Sequence, residues 1–160
     1  LVHEFSFTVD ATEDLAWAWL NAPTTFTDTQ VWPFVVEFYT AENHLAGFEE
    51  GVLNVHYGPF INFAGVLTSI QPHYRDLQYY LGSYALSIRW VRPYRLEFWT
   101  QQEEDKTVIT CKISYWVKPW IRSTWRSMQK IFWRRFPRFA RTGIQRIQTL
   151  STDVTPSLRA

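Results

Sequence analysis

Cysteine, export signals and long apolar runs are scarce or absent in this chain of 160 residues. Its one cysteine, Cys111, rules out an internal disulfide and suits a reducing compartment. No segment approaches the roughly 18 apolar residues that a membrane-spanning helix needs. Residues 1–20 contain four acids where an export signal would have a basic start and an unbroken apolar stretch. We therefore predict a cytoplasmic protein.

Motifs that carry chemistry are also lacking. The six glycines never form a Gly-x-Gly cluster, which argues against a phosphate-binding loop, and there is no Gly-x-Ser-x-Gly. The four histidines, at positions 3, 44, 56 and 73, lack the close spacing of a metal site. Cys111 falls on the apolar face of a predicted strand, where a thiol usually fills the core. The sequence therefore predicts no metal, no cofactor and no catalytic residue.

Charge is distributed unevenly. The formal net charge is +1, yet residues 1–105 hold 14 acids and 4 bases, whereas residues 106–160 hold 12 bases and 1 acid. This asymmetry predicts one strongly basic face near the C-terminus. Aromatic residues, in contrast, are abundant at 18%. That ring surface exceeds what a small core needs, so part of it should line a cavity or an interface.

The N-terminal region predicts a strand followed by two short helices. Phe5, Phe7 and Val9 alternate with polar residues over 2–9, a pattern typical of a half-buried strand. Asp10–Glu13 has the form of a capping box that begins a short helix. Residues 24–30 predict a second short helical turn.

The central region shows the two-residue periodicity of strands joined by short turns, which favours an antiparallel meander. Strands are predicted near 33–40, 51–58, 60–71, 76–81, 84–91, 95–102 and 106–117. The predicted turns lie at Glu42–Gly47, Gly58-Pro59, Gln71-Pro72, Gly82-Ser83, Arg92-Pro93 and Glu103–Asp105.

A long amphipathic helix is predicted from Pro119 to about residue 150. Its apolar residues recur at three- and four-residue spacing, and its bases climb the opposite side in steps of four. Pro137 should break or kink this helix near residues 133–137, because proline lacks an N–H donor and clashes with the preceding turn. The domain is predicted to span 1–150, with a C-terminal tail over 151–160.

The order of these elements resembles the SRPBCC superfamily, which includes START domains, Bet v 1 allergens and polyketide cyclase-like proteins. The residues that carry the resemblance are Phe5–Trp17, Phe48–Gly51 and Val91–Leu96. The resemblance implies an α+β helix-grip fold, in which a curved antiparallel sheet wraps around the C-terminal helix with two short helices after the first strand. It also implies an apolar ligand between sheet and helix.

Residues on the inner faces of these elements form the predicted ligand site. They are Phe63, Leu67, Tyr79, Leu86, Phe98, Ile113, Tyr115, Trp125, Met128, Phe132 and Phe136. We predict non-enzymatic binding or transport of a hydrophobic small molecule, such as a lipid, isoprenoid or polyketide. The alternative is a cyclase- or dehydrase-like enzyme, in which Tyr79 and Tyr115 would orient a ligand carbonyl rather than transfer protons.

The basic side of the predicted helix leaves three interpretations open. It could be a solvated face, a peripheral contact with an anionic membrane, or a docking surface for a partner. Nucleic acid fits poorly, because a net charge of +1 is far below that of typical binders. The residues assigned to this surface are Arg122, Arg126, Lys130, Trp133, Arg134 and Arg138.

Overall fold

The computed structural model describes residues 1–28, 35–40, 47–84 and 89–154. Its centre is a seven-stranded antiparallel sheet with the strand order β1-β7-β6-β5-β4-β3-β2. The strands are β1 (Val2–Val9), β2 (Val35–Tyr39), β3 (Leu53–Gly58), β4 (Ile61–Gln71), β5 (Tyr74–Tyr84), β6 (Val91–Glu103) and β7 (Lys106–Val117). Neighbours β2 to β7 form a meander, and β1 closes the far edge against β7. This architecture confirms the predicted helix-grip fold.

Within the described residues, four α-helices accompany the sheet. α1 (Glu13–Leu20) and α2 (Pro23–Thr27) follow β1, as predicted. The N-cap of α1 is Thr12, whose side chain accepts a hydrogen bond from the Leu15 N–H, so the predicted capping box starting at Asp10 is wrong. After β7, a 3-10 turn at Pro119–Ile121 leads into α3 (Arg122–Trp133) and α4 (Phe136–Val154). α4 thus runs past residue 150, where the domain was predicted to end.

Two of the predicted turns lie inside strands. Gly82 and Ser83 belong to β5 and pair with Phe63 and Asn62 of β4. Pro93 belongs to β6, where the register shift between Pro93 and Arg95 accommodates a residue without an N–H donor.

The ends of the predicted strand 84–91 therefore belong to two neighbouring strands, β5 and β6. Its residues 85–88, like positions 29–34 and 41–46 of other predicted elements, lie outside the described residues.

The C-terminal helix is interrupted where the sequence predicted. α3 ends at Trp133, and α4 begins at Phe136 with Pro137 in its first turn. Proline is tolerated there because the first N–H groups of a helix have no intrahelical acceptor. Pro137 therefore separates two helices with different surroundings.

α4 packs on one end of the sheet and on α1. Ala140 and Ile144 are fully buried in a cluster with Phe7, Trp19 and Ile109. Gly143 makes this approach possible, because a methyl group at its Cβ position would lie 2.3 Å from the Trp19 ring nitrogen. The close approach is therefore to α1.

Candidate functional site

A cavity of about 450 Å³ lies between the sheet and the helices. Its walls come from β2 to β6 on one side, from α2 on another, and from the α3–α4 junction. Apolar side chains make up most of the lining, as in most small-molecule sites. Phe132 and Arg135 line it and are exposed, Phe132 by 63% of its surface, so the cavity meets solvent beside the junction.

Five of the predicted ligand-binding residues lie on the wall of this cavity: Leu67, Tyr79, Phe98, Phe132 and Phe136. They come from β4, β5, β6, α3 and α4, so distant parts of the chain meet as the alternation predicted. Phe63 lies just outside the lining, buried against the His56 ring at 4.5 Å and the Tyr79 ring at 4.9 Å. Leu86 lies outside the described residues.

Four other predicted members are placed away from the cavity. Ile113, Tyr115 and Trp125 form a separate cluster, because α3 packs directly on β7 there and leaves no space. Met128 is 50% exposed. The stripe of α3 that faces the sheet is Trp125, Gln129 and Trp133, at four-residue spacing, so Met128 falls on its flank. The predicted inward orientation of Met128 is wrong.

The residues assigned to the basic surface differ in exposure. Arg122, Arg126, Lys130, Arg134 and Arg138 are all exposed. Trp133 is half-buried, lines the cavity, contacts the rings of Phe5 and Phe136, and donates from Nε1 to Gln129 Oε1 at 3.0 Å. It belongs to the wall of the cavity rather than to the outer surface.

Arg75 is the principal charged group of the wall. It is 5% exposed, and one of its N–H groups donates to the backbone oxygen of Leu20, the last residue of α1. The guanidinium lies over the rings of Phe26, Phe48 and Phe98 at 5.1, 4.5 and 4.9 Å. Burial lowers its pKa from 12.5 to about 9. Within the described part of the chain, no carboxylate forms an ion pair with it.

A neutral polar group lies on β3. His56 Nε2 is 2.6 Å from Asn54 Oδ1, which can only accept, so His56 donates from this nitrogen. The Tyr79 hydroxyl lies 3.4 Å from the same nitrogen. Burial lowers the pKa of His56 to about 3, so the ring is neutral at physiological pH. His56 and Tyr79 can therefore orient a polar atom of a ligand.

This group is poorly suited to proton transfer. A general base works best when its pKa is close to the working pH, and that of His56 is far below it. Its hydrogen-bond partner is an amide oxygen, not a carboxylate that would raise its basicity. The wall therefore offers positioning rather than acid–base chemistry.

Three polar wall residues on the strands were not predicted from the sequence: Asn54, His56 and Arg75. The signal for Arg75 was present: it alternates with Leu77 and Tyr79, but the strand was predicted to begin one residue later, at 76. Asn54 and His56 alternate with Leu53, Val55 and Tyr57, and two of those, Leu53 and Tyr57, are exposed. A strand whose apolar residues face outward gives a misleading pattern.

Several solved structures share this architecture. Norcoclaurine synthase from Thalictrum flavum, solved with a transition-state analogue, matches with a TM-score of 0.68 and 15% identity over 92% of this chain and 96% of that one. Ara h 8.0201 matches with a TM-score of 0.63 and 8% identity, over 91% and 97% of the two chains. The Aha1 dimer of Colwellia psychrerythraea gives 0.57 and 10%, over 89% and 98%.

The fold is therefore the helix-grip fold that these structures share, as the resemblance seen in the sequence implied. At these identities the likeness establishes the fold alone. No family model matches the sequence, and no curated protein matches it. Of the helices in the described ranges, none combines the length and the apolar character needed to cross a bilayer.

Proposed function

We propose that this protein binds an apolar small molecule in the cavity between its sheet and its helices, and carries it without converting it. The observation that carries the proposal is the cavity itself: about 450 Å³, mostly apolar, and open beside Phe132. Such a volume lies in the range of about 300–1,000 Å³ that is usual for ligand sites. The neutral His56 supports binding over proton transfer.

The enzymatic alternative rests on the fold neighbours. Norcoclaurine synthase is an enzyme, and one of its structures contains dopamine and hydroxybenzaldehyde. For this chain, a reaction in the same cavity would have to use His56, Tyr79 or Arg75, because these groups carry the polar chemistry of the buried wall. A loss of turnover in His56→Asn with unchanged ligand affinity would favour this alternative.

Uptake of N-phenyl-1-naphthylamine, a neutral fluorescent probe, tests the proposed binding. Leu77→Trp should fill the cavity, because Leu77 of β5 lines it, and should abolish the rise in probe fluorescence. Leu81→Trp is the matched control: the same change on the same strand, at a residue that is 71% exposed. It should bind the probe like the wild type. A wild-type protein that takes up no probe would contradict the proposal.

A specific observation also favours exchange of the ligand at an anionic membrane. Met128, Ile131 and Phe132 of α3 are 50%, 72% and 63% exposed, and Phe132 stands at the opening of the cavity. The bases Arg122, Arg126 and Lys130 lie on the same helix. Exposed apolar side chains beside bases are typical of helices that lie on anionic bilayers. A cytoplasmic location with peripheral membrane contact remains our prediction.

Sedimentation with vesicles containing phosphatidylserine tests this contact. Arg126→Glu should weaken binding about thirtyfold at low salt, because the loss of one base costs about 1 kcal/mol near an anionic surface and the added acid costs about as much again. Arg146→Glu, the same reversal at an exposed position of α4, should have a smaller effect. Neutral vesicles should bind both variants and the wild type equally weakly. Equal binding of the two variants to anionic vesicles would exclude α3 as the contact.

A further inference from the structure

Arg75 carries a charge that the described structure does not balance. An isolated buried charge is strongly unfavourable unless a counter-charge and hydrogen bonds compensate it. Here the compensation consists of one backbone oxygen, Leu20 O, at the C-terminal end of the α1 dipole, and three phenylalanine rings. No acid of the described residues ion-pairs with the guanidinium, and it faces the cavity.

Most of the N–H donors of this guanidinium form no hydrogen bond within the described residues. Its central carbon lies over the rings of Phe26, Phe48 and Phe98, and the hydrogen bond to Leu20 O uses one of its five N–H groups. The remaining donors form the fork that matches a carboxylate in a bidentate arrangement.

We infer that the ligand of this cavity is an amphipathic carboxylic acid, whose carboxylate pairs with Arg75 at the buried end while its apolar body fills the space toward Phe132. This inference rests on the proposed function and names the chemical class of the ligand. A monoanion balances the single buried charge, whereas a doubly charged phosphate would leave an excess negative charge in an apolar site.

The opening of the cavity has a different character. Arg135 also lines it, but this side chain is exposed at the opening, where water screens its charge. His56 is neutral and contributes hydrogen bonds only. The carboxylate of the ligand therefore has one buried partner, Arg75, and the apolar tail of the ligand lies toward the opening.

The test compares dodecanoate with dodecan-1-ol, which has the same chain without the charge. Both displace N-phenyl-1-naphthylamine at pH 8, where the acid is ionised. The wild type should bind dodecanoate at least tenfold more tightly than the alcohol, which is about 1.4 kcal/mol. Arg75→Met should lose at least tenfold in affinity for the acid and change its affinity for the alcohol by less than threefold. Arg75→Lys should retain part of the preference.

Arg135→Gln is the matched control, because it removes the cation at the opening and leaves the buried one. It should preserve the preference for the acid. Loss of the preference in Arg135→Gln but not in Arg75→Met would overturn the inference by placing the acid at the opening. If Arg75→Met does not fold, the origin of the acid preference is still decided by three measurements: the wild-type comparison, Arg75→Lys and Arg135→Gln.

Two failures are distinguishable. A wild type that takes up the neutral probe but binds dodecanoate and dodecan-1-ol equally would overturn the acid specificity and leave the proposed function standing. A wild type that takes up no probe, and that shows no heat of binding with either chain by calorimetry, would overturn both.

Discussion

The two C-terminal helices, α3 and α4, differ in how they pack against the sheet. α4 buries Ala140 and Ile144 completely in the largest cluster of the core. α3 is anchored by the stripe Trp125, Gln129 and Trp133, while three of its apolar side chains remain in solvent. Both helices are amphipathic in sequence, so periodicity alone does not distinguish them.

The difference between α3 and α4 shows that the apolar face of a helix need not be the face that is buried. In α4 the two faces coincide because small residues and Gly143 let the helix approach α1 closely. In α3 the buried stripe includes a glutamine, whose Oε1 accepts hydrogen bonds from the Tyr115 hydroxyl and from Trp133 Nε1. One of the apolar residues that remain outside, Phe132, lines the opening of the cavity. Mutations in matched positions can test this division.

The largest contrast is expected between two isoleucines. Ile144→Ala should lower the free energy of unfolding by about 2–5 kcal/mol, since it deletes a fully buried side chain of α4. Ile131→Ala, the same change at a 72% exposed position of α3, should stay within about 0.5 kcal/mol. Urea denaturation of both variants measures the difference. Equal losses would mean that α3 packs as tightly as α4.

The glutamine of α3 should matter next. Gln129→Met removes the acceptor that Tyr115 and Trp133 share, and should cost about 1–3 kcal/mol. Gln145→Met, at an exposed position of α4, serves as control and should be nearly neutral. Thermal melting followed by circular dichroism measures both. A Gln129→Met variant as stable as the wild type would show that packing alone holds α3.

Gly143→Ala should destabilise α4, although alanine normally favours a helix. The added methyl group would lie 2.3 Å from the Trp19 ring nitrogen, and such overpacking costs about 1–3 kcal/mol. Thr142→Ala, at the exposed neighbouring position, should leave stability unchanged or slightly raise it. The order of the two melting temperatures tests the close approach of α4 to α1, and a reversed order would contradict it.

The smallest effect on stability is expected at the opening. Phe132 is 63% exposed, so Phe132→Ala should cost less than about 1 kcal/mol, far below the 3–5 kcal/mol of a buried phenylalanine. It should nevertheless speed the dissociation of a neutral probe, measured by stopped-flow fluorescence, because it widens the opening. Phe60→Ala, at a residue that is 59% exposed and does not line the cavity, should change neither quantity. A large loss of stability in Phe132→Ala alone would mean that α3 buries this ring.

Much of the fold could be predicted because its signals are local. The alternation in β1 and β7, the short turns between neighbouring strands and the proline in the last helix each act over a few residues. Gly82 and Pro93 misled for the opposite reason. Both are strong turn residues, and only pairing with the neighbouring strands β4 and β7 keeps them inside β5 and β6.

The site could be predicted only in part, because a cavity depends on where helices do not pack. Tyr115 and Phe98 both point inward from neighbouring strands, yet one lies under α3 and the other lines the cavity. Alternation in a strand predicts which side chains face inward, but it does not predict how far the helix lies from the sheet at that point. Arg75 was missed because the strand was predicted to begin just after it, at residue 76.

The interruption at Pro137 has a kinetic consequence. The hydrogen bonds of α4 begin with the Phe139 N–H, which donates to the Arg135 carbonyl. A movement of α3 away from the sheet would therefore leave the hydrogen bonds of α4 intact. Such a movement would separate Trp125, Gln129 and Trp133 from the sheet, while the cluster around Ile144 would stay closed. Such a movement would widen the opening beside Phe132 at the cost of the contacts of three side chains, without unfolding of the domain.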